Sequence, residues 1–258
     1  MDAEDTVGLG YSFTRRLAQE LISNQFPHWA NLSIAPVEKG GWDNKTFRLG
    51  EEFLIRLPSA ERYASKVTKE QHWLPILAPK LSLKIPVPVA QGSPSNKYPW
   101  NWSIYKWIVG ENLSFIPPDN NTSNAVDLAQ FMLELHKIPL DGAPLAGKHN
   151  FYRGGDLSVY DSETRQAVVK LKRKIDSKTA NQIWERALES KWNSDPVWVH
   201  GDFTADNILQ KDGKVVAVID FGGIAVGDPA CDLVIAWTYF RGGSRRVFKS
   251  ELGLDQDT

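Results

Sequence analysis

The chain has 258 residues, 42% hydrophobic and 24% charged, with a net charge of −1. That length can bury one large core or two small ones around a cleft without a disulfide or metal staple, and the balanced charge excludes a partner held mainly by phosphate neutralisation, such as bulk nucleic acid. The single Cys231 excludes an internal disulfide framework, no apolar run approaches the roughly 20 residues of a membrane span, and the acidic start Met1-Asp2-Ala3-Glu4-Asp5 is unlike a signal peptide, so a cytoplasmic protein off the membrane is expected.

In chain order, Ser12 is expected to cap a helix whose apolar residues Phe13, Leu17, Leu21 and Ile22 recur near one face. The period then changes. Ile34 to Glu38, Lys45 to Leu49 and Phe53 to Leu57 read as short strands, joined by turns at Lys39-Gly40-Gly41-Trp42-Asp43 and Gly50-Glu51-Glu52. A helix is expected from about Arg62 to Leu77 despite Pro75, then a proline-broken edge strand over Ile85 to Val89 and a strand from Trp102 to Ile108. Ser123 to Lys137 has helical spacing, and Asp161 to Trp192 reads as one long charged helical stretch whose Lys170, Lys172, Arg173 and Lys174 form a solvated face. Val197 to Val199 is a short strand, Ile208-Leu209 and Val215 to Ile219 flank a turn at Lys211-Asp212-Gly213-Lys214, and Asp228-Pro229 opens the last clear helix. The pattern is α+β: a sheet-rich N-terminal lobe over 1–109 and a mainly helical lobe over 110–258.

The chemistry-bearing segment is His200-Gly201-Asp202-Phe203-Thr204-Ala205-Asp206-Asn207, followed by Ile219-Asp220-Phe221-Gly222. A strand delivers a polar loop and a hairpin then delivers another Asp, so Asp202, Asn207 and Asp220 can converge at one end of the hairpin. Two carboxylates and an amide oxygen are hard ligands suited to Mg²⁺, and an Asp left off the metal can accept a proton from a substrate hydroxyl. Any one Asp in a loop is usually a turn former or a helix cap; it is the joint spacing that points to a site.

Asp, four residues, Asn, a hairpin and Asp-Phe-Gly resembles the catalytic and metal-binding loops of protein-kinase-like phosphotransferases. With His-Gly-Asp at its head and Gly227-Asp228-Pro229-Ala230-Cys231-Asp232-Leu233 downstream, the segment is similar to the aminoglycoside phosphotransferase family, and the resemblance extends over roughly residues 30 to 240. It implies a two-lobe protein-kinase-like fold. It makes Asp202 the base that orients and deprotonates an acceptor hydroxyl, and Asn207 and Asp220 the Mg²⁺ ligands. His200 would brace the loop, and Asp232 would cap its backbone from the following helix. Asp228 is as readily a simple helix cap. Asp206 departs from the small residue usual in that place.

By the same resemblance the N-terminal lobe holds ATP or GTP. Gly40-Gly41 stands where a phosphate-covering turn is expected, although such pairs are often plain hairpin turns. The cation of the third strand is Arg56 where the pattern usually has Lys, and Glu70 on the next helix is its expected partner; a surface ion pair is the bland alternative. Tyr105-Lys106-Trp107 opens the inter-lobe hinge, whose backbone would read the adenine edge, while core packing is the expected duty of most of the tryptophans around it. The acceptor is expected to be a small-molecule hydroxyl, an aminoglycoside-like antibiotic first, with macrolide, choline-like and homoserine-like compounds as alternatives. Asp156, Asp161 and Glu163 are the acidic residues expected near the cleft. Two other readings remain open: a nucleotide-binding protein without turnover, and a metal-dependent phosphohydrolase ligating through His200, Asp202 and Asp220. The chain is also expected to be short for its family at the C-terminus, leaving some of its tryptophans, Trp237 among them, on an uncovered surface.

Overall fold

The computed structural model describes residues 12–37, 41–116 and 122–254. The first helix, α1 (Arg15–Gln25), starts at Thr14 and not at Ser12, because the Thr14 hydroxyl accepts the Leu17 amide at 3.1 Å. Its face of Leu17, Ala18, Leu21 and Ile22 is buried. The strands β1 (Ile34–Pro36), β2 (Asn44–Leu49), β3 (Phe53–Pro58), β4 (Pro88–Gly92) and β5 (Trp102–Lys106) form one antiparallel sheet in the order β1-β2-β3-β5-β4. Glu38 and Gly40, expected in the first strand and its turn, lie outside the described residues.

β4 is an edge strand, as its prolines require, but it begins three residues later than the sequence pattern suggests. Gly92 on β4 has a packing reason: a Cβ there would lie 1.9 Å from Cε2 of the fully buried Trp102. Helix α2 (Glu61–Leu77) keeps its course through Pro75, which falls in the last turn, so the one amide bond it removes lies at the helix end.

The rest of the described chain is β6 (Glu111–Asn112), α3 (Thr122–His136), α4 (Asp161–Lys170), α5 (Ser177–Glu189), β7 (Val197–Val199), β8 (Ile208–Lys211), β9 (Lys214–Val218), β10 (Ala225–Gly227), α6 (Ile235–Thr238) and α7 (Gly242–Glu251). β6, β8 and β9 form one small sheet, and β7 pairs with β10. The β8–β9 hairpin turns through Asp212 and Gly213, both at positive φ, as a right-handed two-residue hairpin needs.

Three helical expectations change. The stretch from Asp161 to Trp192 is two helices, because Asp176 caps α5 through the amides of Lys178 and Thr179 and so ends helical continuity. Asp228-Pro229 opens a 3₁₀ helix, Pro229–Val234, before the single turn of α6. The segment after Arg241 is helical: the Ser244 hydroxyl bonds the Arg241 carbonyl and amide at the start of α7, and Phe248 is buried against Phe240 with ring centroids 5.1 Å apart. Trp237 is half-exposed, with the Lys249 ammonium 5.8 Å from its ring centroid.

Two buried clusters result. One joins α1 to the five-stranded sheet through Ile22, Ile55 and Trp102; the other joins the end of α2 to the helical part through Trp73, Phe131, Trp198 and Phe248. Among the described residues no helix is long and apolar enough to cross a membrane.

Candidate active site

β7 ends by delivering His200 into a turn held from below. The buried Asp232 carboxylate accepts the amides of His200 at 2.6 Å and Gly201 at 2.8 Å. Burial pushes the Asp232 carboxyl above its ordinary pKa, with His200 and the two amides pulling the other way. The His200 ring is fully buried; its Nε2 donates to the Ile219 carbonyl at 3.0 Å and its Nδ1 accepts the Asp202 amide at 3.2 Å. Both ring nitrogens are therefore spent on tying the loop to the end of β9. This arrangement disfavours His200 as a metal ligand and with it the phosphohydrolase reading. Among the described residues no cluster of three or more His, Cys, Asp and Glu side chains could hold a metal ion.

Asp202 projects from this loop and is about half-exposed. Asn207 Nδ2 donates to Asp202 Oδ2 at 3.0 Å and to its carbonyl at 2.9 Å. Both bonds use the Asn207 amide nitrogen and not its amide oxygen. Asp220 follows β9 in the left-handed region, at φ 64° and ψ 66°, an uncommon conformation for a non-glycine residue, and its carboxylate meets Arg56 on β3.

Arg56 on β3 joins the halves of the site. Its Nη1 lies 3.3 Å from Glu70 Oε1 on α2, and its Nη2 lies 3.0 Å from Asp220 Oδ1. The Arg56 and Glu70 side chains are only 13% and 5% exposed, so the surface-ion-pair alternative does not hold. Tyr105 donates its hydroxyl to Glu70 Oε2 at 2.7 Å and completes the partners of that carboxylate. Burial lowers the Arg56 pKa, but Asp220 and Glu70 outweigh it and the guanidinium ends above its ordinary value. Burial likewise raises Asp220, and Arg56, Lys66 and His200 together bring it below the usual carboxylate range. Asp220 is thus an anion with Oδ2 not taken by Arg56.

Several of these groups line a cavity of about 930 Å³. Arg56, Asp202, Asn207 and Asp220 sit at its polar end; Leu54, Phe115, Leu209 and Ile219 supply apolar walls. Gly41 is on the rim, with open space where a Cβ would go. Tyr105 and Trp107 also line it, but the Trp107 amide is spent on the Glu52 carbonyl at 2.7 Å, and its ring lies 4.1 Å from the Arg48 guanidinium carbon. Glu70, His200 and Asp232 stand behind the lining.

The acidic residues expected near the acceptor are elsewhere engaged. Asp156 caps a 3₁₀ turn through the Ser158 amide, Asp161 binds Arg165 and Trp184 Nε1, and neither lines the cavity, nor does Glu163. Asp206 does line it. Two cations in the site were not foreseen. Arg153, from the loop before α4, pairs with Asp202 at 2.9 Å, and Lys66 on α2 pairs with Asp43. Lys66 had a signal, since it lies one turn before Glu70 on the same helix face; Arg153 had none.

A five-stranded antiparallel sheet with a buried Arg–Glu pair, over a helical part that presents Asp202, Asn207 and Asp220, defines a protein-kinase-like fold. The profile of the phosphotransferase enzyme family matches residues 33–253, and the chain belongs to that family. An aminoglycoside 3'-phosphotransferase of Escherichia coli is 34% identical over 124 residues, covering 43% of this chain. That match spans only 41% of the relative's own length. The uncharacterized protein YcbJ of Bacillus subtilis (strain 168) is 25% identical over 74% of this chain and 64% of its own. Among solved structures, the GDP and kanamycin complex of APH(2")-IIia superposes with a TM-score of 0.75 at 22% identity, over 93% of this chain and 84% of that one. The macrolide 2'-phosphotransferase MphH from Brachybacterium faecium gives 0.67 at 21% identity, over 92% and 82%.

Proposed function

We propose that this protein transfers the γ-phosphoryl group of ATP or GTP to a hydroxyl of a small molecule. The observation that carries the reading is the convergence of Asp202, Asn207, Asp220 and the buried Arg56–Glu70 pair on one cavity. Phosphoryl transfer asks for positioning and charge neutralisation more than covalent chemistry. The acceptor oxygen attacks phosphorus as the bond to the β–γ bridging oxygen breaks. Asp202 accepts the hydroxyl proton and aims the nucleophile, while Arg56 lends positive charge to the phosphate end.

The residues present fit Mg²⁺: the Asn207 amide oxygen and the free oxygen of Asp220 are hard donors on one side of the cavity. Bound there, the ion would neutralise charge on the phosphates. The apolar walls suit a purine, and Lys106 and Ile108 share that lining. We take residues 1–109 as the nucleotide lobe and 110–258 as the acceptor lobe. We place the protein in the cytoplasm, where its lone thiol stays reduced; burial already holds Cys231 above its ordinary pKa.

For the acceptor we propose an aminoglycoside-type polyol first and a macrolide second, on the strength of the relatives' names. The test is a panel of acceptors incubated with ATP and with GTP and read by mass shift. A phosphorylated product supports the reading. Tight nucleotide binding with no product from any acceptor would favour a nucleotide-binding protein without turnover.

A further inference from the structure

Lys66 is 9% exposed, an unusual state for a lysine unless its charge is paired. Its ammonium is paired with the Asp43 carboxylate and lies 5.0 and 5.2 Å from the ring centroids of Tyr63 and Phe151. Both Lys66 and Asp43 line the cavity. The Lys66 stem passes directly over Gly222: a Cβ on Gly222 would lie 2.7 Å from Lys66 Cδ. Absence of a side chain at Gly222 thus opens the path that brings this ammonium toward the polar end of the cavity.

The charge arithmetic of that end leaves a role for it. Arg56 has both terminal nitrogens committed to carboxylates, Glu70 on one side and Asp220 on the other. Asp43 differs from Glu70, whose side chain is only 5% exposed. Its backbone is fixed, since Ser59 donates its amide to the Asp43 carbonyl at 2.9 Å and its hydroxyl to the Trp42 carbonyl at 2.6 Å. Its carboxylate is 28% exposed, so one side of it already faces solvent. An entering polyphosphate repels that carboxylate and attracts the ammonium.

We propose that Lys66 is a second phosphate-binding cation of this site, held by Asp43, whose carboxylate stands in for a phosphate oxygen until a nucleoside triphosphate displaces it. The proposal rests on the nucleotide reading above and adds to it a residue and an exchange. Asp43 is accordingly a competitor of the nucleotide and not part of its binding set.

The test is calorimetric titration of ATP and adenosine into the full chain and into Lys66→Met, Lys66→Arg and Asp43→Asn. Lys66→Met is expected to weaken ATP about 10- to 100-fold, the worth of one charge-assisted hydrogen bond set, and to change adenosine affinity by no more than about twofold. Lys66→Arg retains most of the ATP affinity. Asp43→Asn tightens ATP, because a competing anion is gone. Unchanged ATP affinity in Lys66→Met overturns the proposal, and so does Asp43→Asn weakening ATP. If Lys66→Met fails to fold, Lys66→Arg and Asp43→Asn decide by the same signs. A native chain that binds no ATP overturns the nucleotide reading itself, whereas native binding indifferent to Lys66 overturns this proposal alone.

Discussion

Arg153 Nη1 lies 2.9 Å from Asp202 Oδ1 and donates to the Gly201 carbonyl at 2.6 Å, so one guanidinium holds both the proposed base and the turn that carries it. Asn207 holds the other carboxylate oxygen. The acceptor hydroxyl must therefore approach a carboxylate already oriented from two sides. Asp202→Ala is expected to lower kcat by about 10²- to 10⁴-fold, the usual worth of a general base, with ATP affinity within about threefold of the native value. Single-turnover kinetics with a nucleotide titration measures both. Near-native kcat in the variant would remove Asp202 from the mechanism.

The same ion pair bears on acceptor charge. Arg153 stands beside the place where the acceptor must bind, and a cationic acceptor has to tolerate it. Arg153→Gln is expected to lower KM for a cationic acceptor relative to a neutral one, with little change in ATP affinity. Equal shifts in both KM values would show that Arg153 acts only by positioning Asp202.

Arg56 serves two carboxylates with two nitrogens of one planar fork, which a lysine cannot copy. Glu70 is nearly fully buried and loses its charge partner in Arg56→Ala. We expect Arg56→Ala to cost about 3 kcal/mol of stability, in the range for breaking a buried pair. Arg56→Lys should keep most of that stability yet weaken ATP, because one ammonium has to choose between Glu70 and Asp220, the carboxylate proposed to face the phosphates. Urea denaturation and ATP titration on both variants check the split.

The geometry of the candidate site was legible where its parts are near in sequence or delivered by regular elements. Asp202 and Asn207 share one loop, the β8–β9 hairpin returns Asp220 to it, and β3 and α2 are consecutive, so Arg56 and Glu70 meet with no long-range guess. Arg153 was not legible, because it comes from an irregular loop with no period and reaches Asp202 only through the tertiary fold. The Lys66–Asp43 pair was hidden for a similar reason: a helix and a turn on different parts of the lobe must first be packed. In the fold, the break between α4 and α5 was masked by an unbroken charged pattern in which Asp176-Ser177 was the one visible cap. Gly242 and Gly243 are poor helix formers at the start of α7, and burial of Phe248 outweighs them.

Gly201 adopts φ +77°, and a Cβ there would lie 2.4 Å from the Gly223 carbonyl oxygen. Both the backbone conformation and the close approach demand glycine. Neither partner can yield cheaply, since the Gly201 amide is bound by Asp232 and Gly223 follows the Asp220 turn. Gly201→Ala is therefore expected to cost roughly 3 kcal/mol or more and to displace Asp202. Thermal unfolding would show a lowered midpoint, and any folded fraction should have lost kcat before ATP affinity. A native midpoint with full turnover would contradict the close contact.

Lys69 links α2 to the helical part by donating to the Ile224 carbonyl at 3.0 Å, with His149 Nδ1 also 3.0 Å away. Burial lowers its pKa from 10.5 to about 8, with Lys66 adding to the fall and Glu70 opposing it. The unfolded chain holds this proton up to its ordinary pKa, so between about pH 8 and 10.5 the unfolded state binds more protons than the folded one. Stability must then rise with pH through that window, by at most about 1.4 kcal/mol per pH unit for one group. Other groups also titrate there, so the readout is the difference between native protein and Lys69→Met in urea denaturation. The native chain is expected to gain about 1–2 kcal/mol on the variant between pH 8 and 10. Below about pH 8 that difference should be flat, because Lys69 is charged in both states. A difference independent of pH across the window would mean that Lys69 keeps its ordinary pKa when folded.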